Sequence, residues 1–164
     1  EIEQALREHQ RLFLSDSQPA LLLQRREAAL EAMRFLGRFQ PRLVGAVLDG
    51  TADAHSAVCL HLFSDDPDTV ELYLREQGVP VESQARRLRY GDGTQPEYPV
   101  LLFAADQLPF DLTVLPRDAI RQAPLDRADD RPMRRAALAQ VEMLVADNAS
   151  AKGAIEQHLT AARR

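Results

Sequence analysis

The sequence predicts an α+β fold, close to α/β in its alternation, with a mixed sheet flanked by N- and C-terminal helices. Two observations carry this. Apolar residues recur at helical spacing near both ends of the chain, and the middle holds short apolar or alternating runs bounded by turn residues. The expected order is helix-helix-strand-strand-helix-strands-helices. At 164 residues the chain suits one domain, 1–164, long enough to bury about two-thirds of its unfolded surface. Within it, 1–38 reads as N-terminal helices, 42–122 as the sheet core and 131–163 as C-terminal helices.

Each element follows from its residues. Ile2, Ala5, Leu6, His9, Leu12 and Phe13 lie on one helical stripe, so residues 1–14 read as a helix broken at Ser15–Pro19. Leu22, Ala29, Met33 and Leu36 mark a second helix that stops at Gly37. Leu43–Leu48 reads as a buried strand, Asp49-Gly50-Thr51 as a tight turn, and Ala57–Phe63 as the next strand. Asp66 suits the cap and Pro67 the first position of a third helix, which Gly78 closes. Val79–Tyr90 reads as one or two strands. Tyr98–Ala104 and Leu108–Leu115 read as a hairpin turning at Ala105-Asp106-Gln107. A short helix follows Pro116. A later helix carries Met133, Ala137, Val141 and Leu144, and Ser150 suits the cap of a last one.

Composition narrows the function classes. The chain is 45% apolar and 27% charged, as in ordinary globular proteins. A net charge of −5 argues against a large nucleic-acid surface, which needs excess Lys and Arg. The single cysteine excludes an internal disulfide and fits a cytoplasmic setting. No run approaches the roughly 18 apolar residues of a membrane span.

Residues 44–63, VGAVLDGTADAHSAVCLHLF, hold the motif with most chemical content. Taken with Asp111 on a later strand, they resemble the opening signature of the nucleotidyltransferase fold, the polymerase-beta-like superfamily. In that family a strand ends in Gly-Ser or Gly-Gly, and about a dozen residues on comes a strand with two carboxylates one residue apart. A third carboxylate lies on a later strand, and the carboxylates hold two metal ions for phosphoryl transfer. Gly45 matches the strand-end glycine, with Ala46 where a serine or glycine is expected. Gly50 and Thr51 sit like the later glycine and small polar residue, and Ser56 matches the serine before the first carboxylate. Asp111 matches the third carboxylate. Ala57 and Cys59 stand where the paired carboxylates belong, and neither binds magnesium.

The resemblance therefore implies a divergent member: a nucleotide- or phosphate-ligand-binding pseudoenzyme, with Gly45, Gly50, Thr51 and Ser56 approaching the ligand and Asp111 as the surviving catalytic-type carboxylate. Magnesium or manganese enters only if the protein is an active nucleotidyltransferase with an atypical site, the first alternative. Asp111 alone would leave such an ion mostly in water. The second alternative is a non-catalytic interaction module whose flanking helices bind a protein partner or a second copy.

Strand alternation places Ala57, Cys59 and His61 on one face and Asp111 with Thr113 on one face of theirs. Cys59, His61 and Asp111 could thus ligate a soft metal such as zinc, although a small buried cysteine and a hydrogen-bonded histidine are the commoner roles. Asp49 and Asp53 read mainly as turn residues. Arg86, Arg87 and Arg89 read as the charged guard of an edge strand rather than a phosphate site. Arg131, Arg134 and Arg135 fall at an expected helix start.

Overall fold

The computed structural model describes residues 2–162, with side chains from 19 to 151 and at 153. It is an α+β fold built on a five-stranded mixed sheet. The first helix, α1 (Ile2–Phe35), runs unbroken through Pro19, so the expected break at Ser15–Pro19 does not occur. A proline inside a helix removes one hydrogen bond and crowds the preceding turn, at about 3 kcal/mol. That is a penalty rather than a stop, and downstream of it Ala29, Leu30, Met33 and Leu36 join the core.

The run expected as one strand over 43–48 divides in two. Strand β1 (Arg42–Val44) ends at Gly45, whose φ of 78° and ψ of −155° lie in a region essentially reserved for glycine. The chain turns there into a single helical turn, α2 (Ala46–Asp49), closed by Gly50 at φ 83° with its N–H on the Ala46 carbonyl, 2.9 Å. An apolar run by itself does not distinguish strand from helix.

Strand β2 (Val58–Phe63) follows, then α3 (Pro67–Glu76). Asp66 caps α3 by accepting from the Asp68 N–H at 3.1 Å, and Pro67 takes the first turn, as expected. Strands β3 (Glu82–Arg87), β4 (Glu97–Ala105) and β5 (Leu108–Leu115) complete the sheet. Asp106 and Gln107, both left-handed at φ 52° and 67°, join β4 to β5, and Ala105 faces Leu108 across the turn. Two left-handed residues match the right-handed twist of a hairpin.

After a short 3-10 turn (Arg117–Arg121), an irregular segment leads to α4 (Leu138–Ala162). This helix begins later than expected. Met133 lies before it, with its N–H on the Pro124 carbonyl, and Ala136 exchanges two backbone hydrogen bonds with Leu43. Those β-type contacts hold 133–136 extended, so the arginines at 131, 134 and 135 precede the helix. Ser150 is inside α4 and caps nothing, and one helix replaces the two expected.

The strand order is β1-β2-β5-β4-β3; β2 and β5 run parallel and every other pair is antiparallel. One sheet face builds the core. There Val58, Leu60 and Leu62 of β2 and Phe110, Leu112 and Val114 of β5 pack with residues of α1 and α3 such as Met33, Val70 and Leu74. No helix among the described residues is long and apolar enough to cross a membrane.

Candidate functional site

The opposite face of the sheet carries the polar residues, and the register states which of them are neighbours. Parallel pairing sets Cys59 beside Asp111 and His61 beside Thr113. Antiparallel pairing brings Val44 to Cys59 and Arg42 to His61 from β1. Opposed residues share a face, so Cys59, His61, Asp111 and Thr113 form a square. Gly45, directly after Val44, lies against it: a Cβ at Gly45 would stand 3.7 Å from the Cys59 Cβ and 3.8 Å from its sulfur. The structure thus brings together Gly45, Cys59, His61 and Asp111 of the sequence-derived candidates.

The central finding is what meets Asp111. From β3, Arg86 reaches across β4 and clasps the carboxylate with two hydrogen bonds, Nη1 to Oδ1 at 2.9 Å and Nη2 to Oδ2 at 2.6 Å. Nη1 also donates to the Thr113 hydroxyl at 3.1 Å. This two-pronged geometry is the strong form of the arginine–carboxylate pair. It is also partly withdrawn from water, with 31% of the Arg86 and 14% of the Asp111 side chain exposed. Asp111 holds the Arg86 guanidinium above its usual pKa, against an opposing effect of burial.

The neighbours respond to the same surroundings. Burial pushes the Cys59 thiol up to about 11, with the Asp111 charge adding to the effect and Arg86 opposing it. A thiol so placed is protonated and unreactive at neutral pH. His61 is 3% exposed. Burial first, then the positive charges of Arg135 and Arg86, lowers its imidazole to about 3, with Asp111 pulling the other way. It is therefore neutral, and its Nδ1 has no hydrogen-bond partner among the described residues. Among the described residues no three His, Cys, Asp or Glu side chains gather as a metal-ligand set, which leaves the Cys59–His61–Asp111 zinc arrangement without geometric support.

Other candidates are engaged elsewhere. The Ser56 hydroxyl accepts from the Asp53 N–H at 2.9 Å and donates to the Asp53 carboxylate at 3.2 Å, closing its own turn. Asp53 also accepts from the His55 N–H, the main cause of its lowered pKa, and Asp49 lies 3.6 Å from Arg134. Thr51 is exposed, its N–H on the Ala46 carbonyl. Gly50 faces α1, nearest to Arg26 and Leu22.

Three arginines organise the region, of which only Arg135 belongs to a cluster singled out in the sequence. Arg26, buried in α1, donates to the Val47 carbonyl at 2.9 Å and the Leu48 carbonyl at 2.8 Å, satisfying the end of α2. Arg25 beside it donates to the Ala54 carbonyl at 2.9 Å. Arg135 stacks on the Phe63 ring at 5.3 Å and donates to the Ala119 and Ile120 carbonyls, fastening the 3-10 turn to the end of β2. A signal for Arg25 and Arg26 is present in the sequence: two adjacent cations interrupt the apolar stripe of a helix, which requires buried acceptors. Arg86 has no such local signal, since its role depends on the β3–β4–β5 register.

No protein-family model, curated protein or solved structure matches this chain.

Proposed function

We propose that this is a nucleotidyltransferase-like domain that has lost two-metal catalysis and binds a nucleotide or another phosphate ligand without metal. The observation that carries the reading is the Arg86 clasp on Asp111. In the family that the sequence resembles, carboxylates at this place hold cations that in turn hold phosphate. Here two of the three positions are Ala57 and Cys59, and the third carboxylate already has a cation, supplied by the protein.

The magnitudes favour this over an active enzyme. A metal ion approaching Asp111 would have to displace a guanidinium whose gross attraction is on the order of 4 kcal/mol at an effective dielectric of 20. It would then find one carboxylate, where magnesium also requires substrate oxygens and water to complete its shell. The local charge suits an anion: Arg42, Arg86 and Arg135 surround the polar face and Asp111 offsets one of them. Gly45 admits backbone close to Cys59, and Arg86 keeps N–H groups that Asp111 and Thr113 do not use. A cytoplasmic location fits the lone free thiol of Cys59.

Calorimetric titration with ATP, GTP, CTP and UTP, with magnesium and with a chelator, tests the reading. The expected result is binding of one nucleotide, unchanged by the chelator and weakened tenfold or more in Arg86→Gln. Metal-dependent turnover that disappears in Asp111→Asn would overturn it in favour of an active enzyme. No nucleotide binding would leave the interaction module.

A further inference from the structure

The two edges of the sheet end differently. At β1 the edge is closed, because Leu43 exchanges two backbone hydrogen bonds with Ala136, at 2.8 and 2.9 Å. At β3 the edge is open, and its register fixes which groups it offers. Just beyond the strand, Leu88 donates to the Pro96 carbonyl and Tyr90 to the Thr94 carbonyl, so the even-numbered residues bond toward β4. The N–H and C=O groups of Ser83, Ala85 and Arg87 therefore point away from the sheet. No hydrogen bond among the described residues takes them.

Proteins usually blunt such an edge with a proline, a bulge or free charge. β3 pairs with β4 without a bulge, and none of its residues is proline. The arginines that read as its guard are each drawn onto a carboxylate of the same chain: Arg86 onto Asp111, Arg87 toward Glu97 at 3.9 Å, and Arg89 onto Asp130. Every residue of β3 except Arg86 is exposed.

An open edge accepts another strand, and β3 is complementary to a second copy of itself. A two-fold dimer sets identical strands antiparallel, and their outward groups meet only when odd-numbered residues face odd-numbered ones. Among the registers that satisfy this, the one centred on Gln84 alone sets opposite charges against each other. Glu82 then faces Arg86 of the second copy, twice by symmetry. Gln84 faces itself with an amide that both donates and accepts, and Ser83 faces Ala85. Registers centred on Glu82, Arg86 or Arg87 set like charges together, at a cost. Glu82 has no cationic partner among the described residues. Arg86 keeps its hold on Asp111, two strands inward, and Glu82 brings a second negative charge to its outer side.

We propose that two copies of this chain associate through β3, edge to edge and antiparallel about Gln84, joining their sheets into one. The pairing does not depend on the phosphate ligand proposed above. Sedimentation velocity over a concentration series, with oxidative cross-linking, tests it. The parent chain should pass from monomer to dimer as its concentration rises. Ala85→Pro removes an N–H that points outward and leaves the β4 ladder whole. It should weaken the dimer about tenfold or more, since each copy loses a hydrogen bond. Glu82→Lys, which sets a cation against Arg86, should weaken it severalfold. Gln84→Cys should form a disulfide-linked dimer under mild oxidation, its Cα atoms being about 4.5 Å apart across the axis. Ala85→Cys should not, because its two thiols lie on a diagonal about 7–8 Å long. The parent, with Cys59 alone, is the control and should stay uncrosslinked. Thermal melts verify that the variants fold, and the cysteine pair tests the register even where Ala85→Pro does not. The proposal is overturned if the parent stays monomeric throughout, or if folded Ala85→Pro or Glu82→Lys dimerises as the parent does. It is equally overturned if Ala85→Cys cross-links as readily as Gln84→Cys.

Discussion

On one face of the β2–β5 pair, Val58, Leu60, Leu62, Leu112 and Val114 are closed off by helices. On the other, Cys59, His61, Asp111 and Thr113 stand side by side with Arg86 reaching over them. The two faces share a backbone and a register, and His61 and Thr113 are as thoroughly buried as much of the core. They differ in what holds them. The apolar face is stabilised by area removed from water, which pH does not alter. The polar face is stabilised by a few pairings and by a histidine kept neutral, so it is conditional on protonation and on each partner. Burial alone therefore does not mark the core of this protein; the chemistry of the buried groups separates scaffold from site.

The comparison can be broken most severely from the apolar side. Leu60→Ala removes a fully buried side chain from the centre of the sheet and should cost about 2–5 kcal/mol in chemical denaturation. A loss below about 1 kcal/mol would mean that this face is not the packed one. Next comes pH. His61 has its folded pKa lowered to about 3 from an ordinary 6.5, so below pH 6.5 the unfolded chain takes up a proton that the folded chain refuses. The stabilisation is full above 6.5 and falls as pH drops toward 3, at about 1.4 kcal/mol per unit. Between pH 6.5 and 4.5 the loss should be about 2–3 kcal/mol. His61→Leu should flatten that limb, and an unchanged limb would remove His61 as its cause. The smallest effect is at Thr113. Thr113→Val keeps the shape and deletes one acceptor from Arg86, at about 1 kcal/mol. Arg86 retains Asp111 and some access to water, so a loss above about 3 kcal/mol would show that the hydroxyl does more than accept that bond.

Much of this architecture is legible in the residues themselves. The alternation of Val58–Phe63 and Leu108–Leu115 identifies both strands and their faces, because side-chain direction in a strand is a local property. Asp66-Pro67 marks the start of α3 for the same reason: capping needs only adjacent residues. Gly45 was legible as a motif glycine but not as the point where strand becomes helix, since apolar residues surround it on both sides. Pro19 and Ser150 are local signals overruled by the helices that run through them. The Arg86–Asp111 pair was legible only in half. Asp111 stands out through the resemblance, whereas Arg86 acquires its meaning from two strand registers that no short stretch of sequence encodes.

Arg26 also has a consequence in time. Besides the α2 carbonyls it donates to the Asn148 side chain, a residue 122 positions further along the chain. At synthesis rates of about 5–20 residues per second, that partner leaves the ribosome roughly 6–24 s after the arginine does. The bond between Arg26 and Asn148 therefore stays unmade for that interval, and the pace of translation sets how long the arginine must wait for α4.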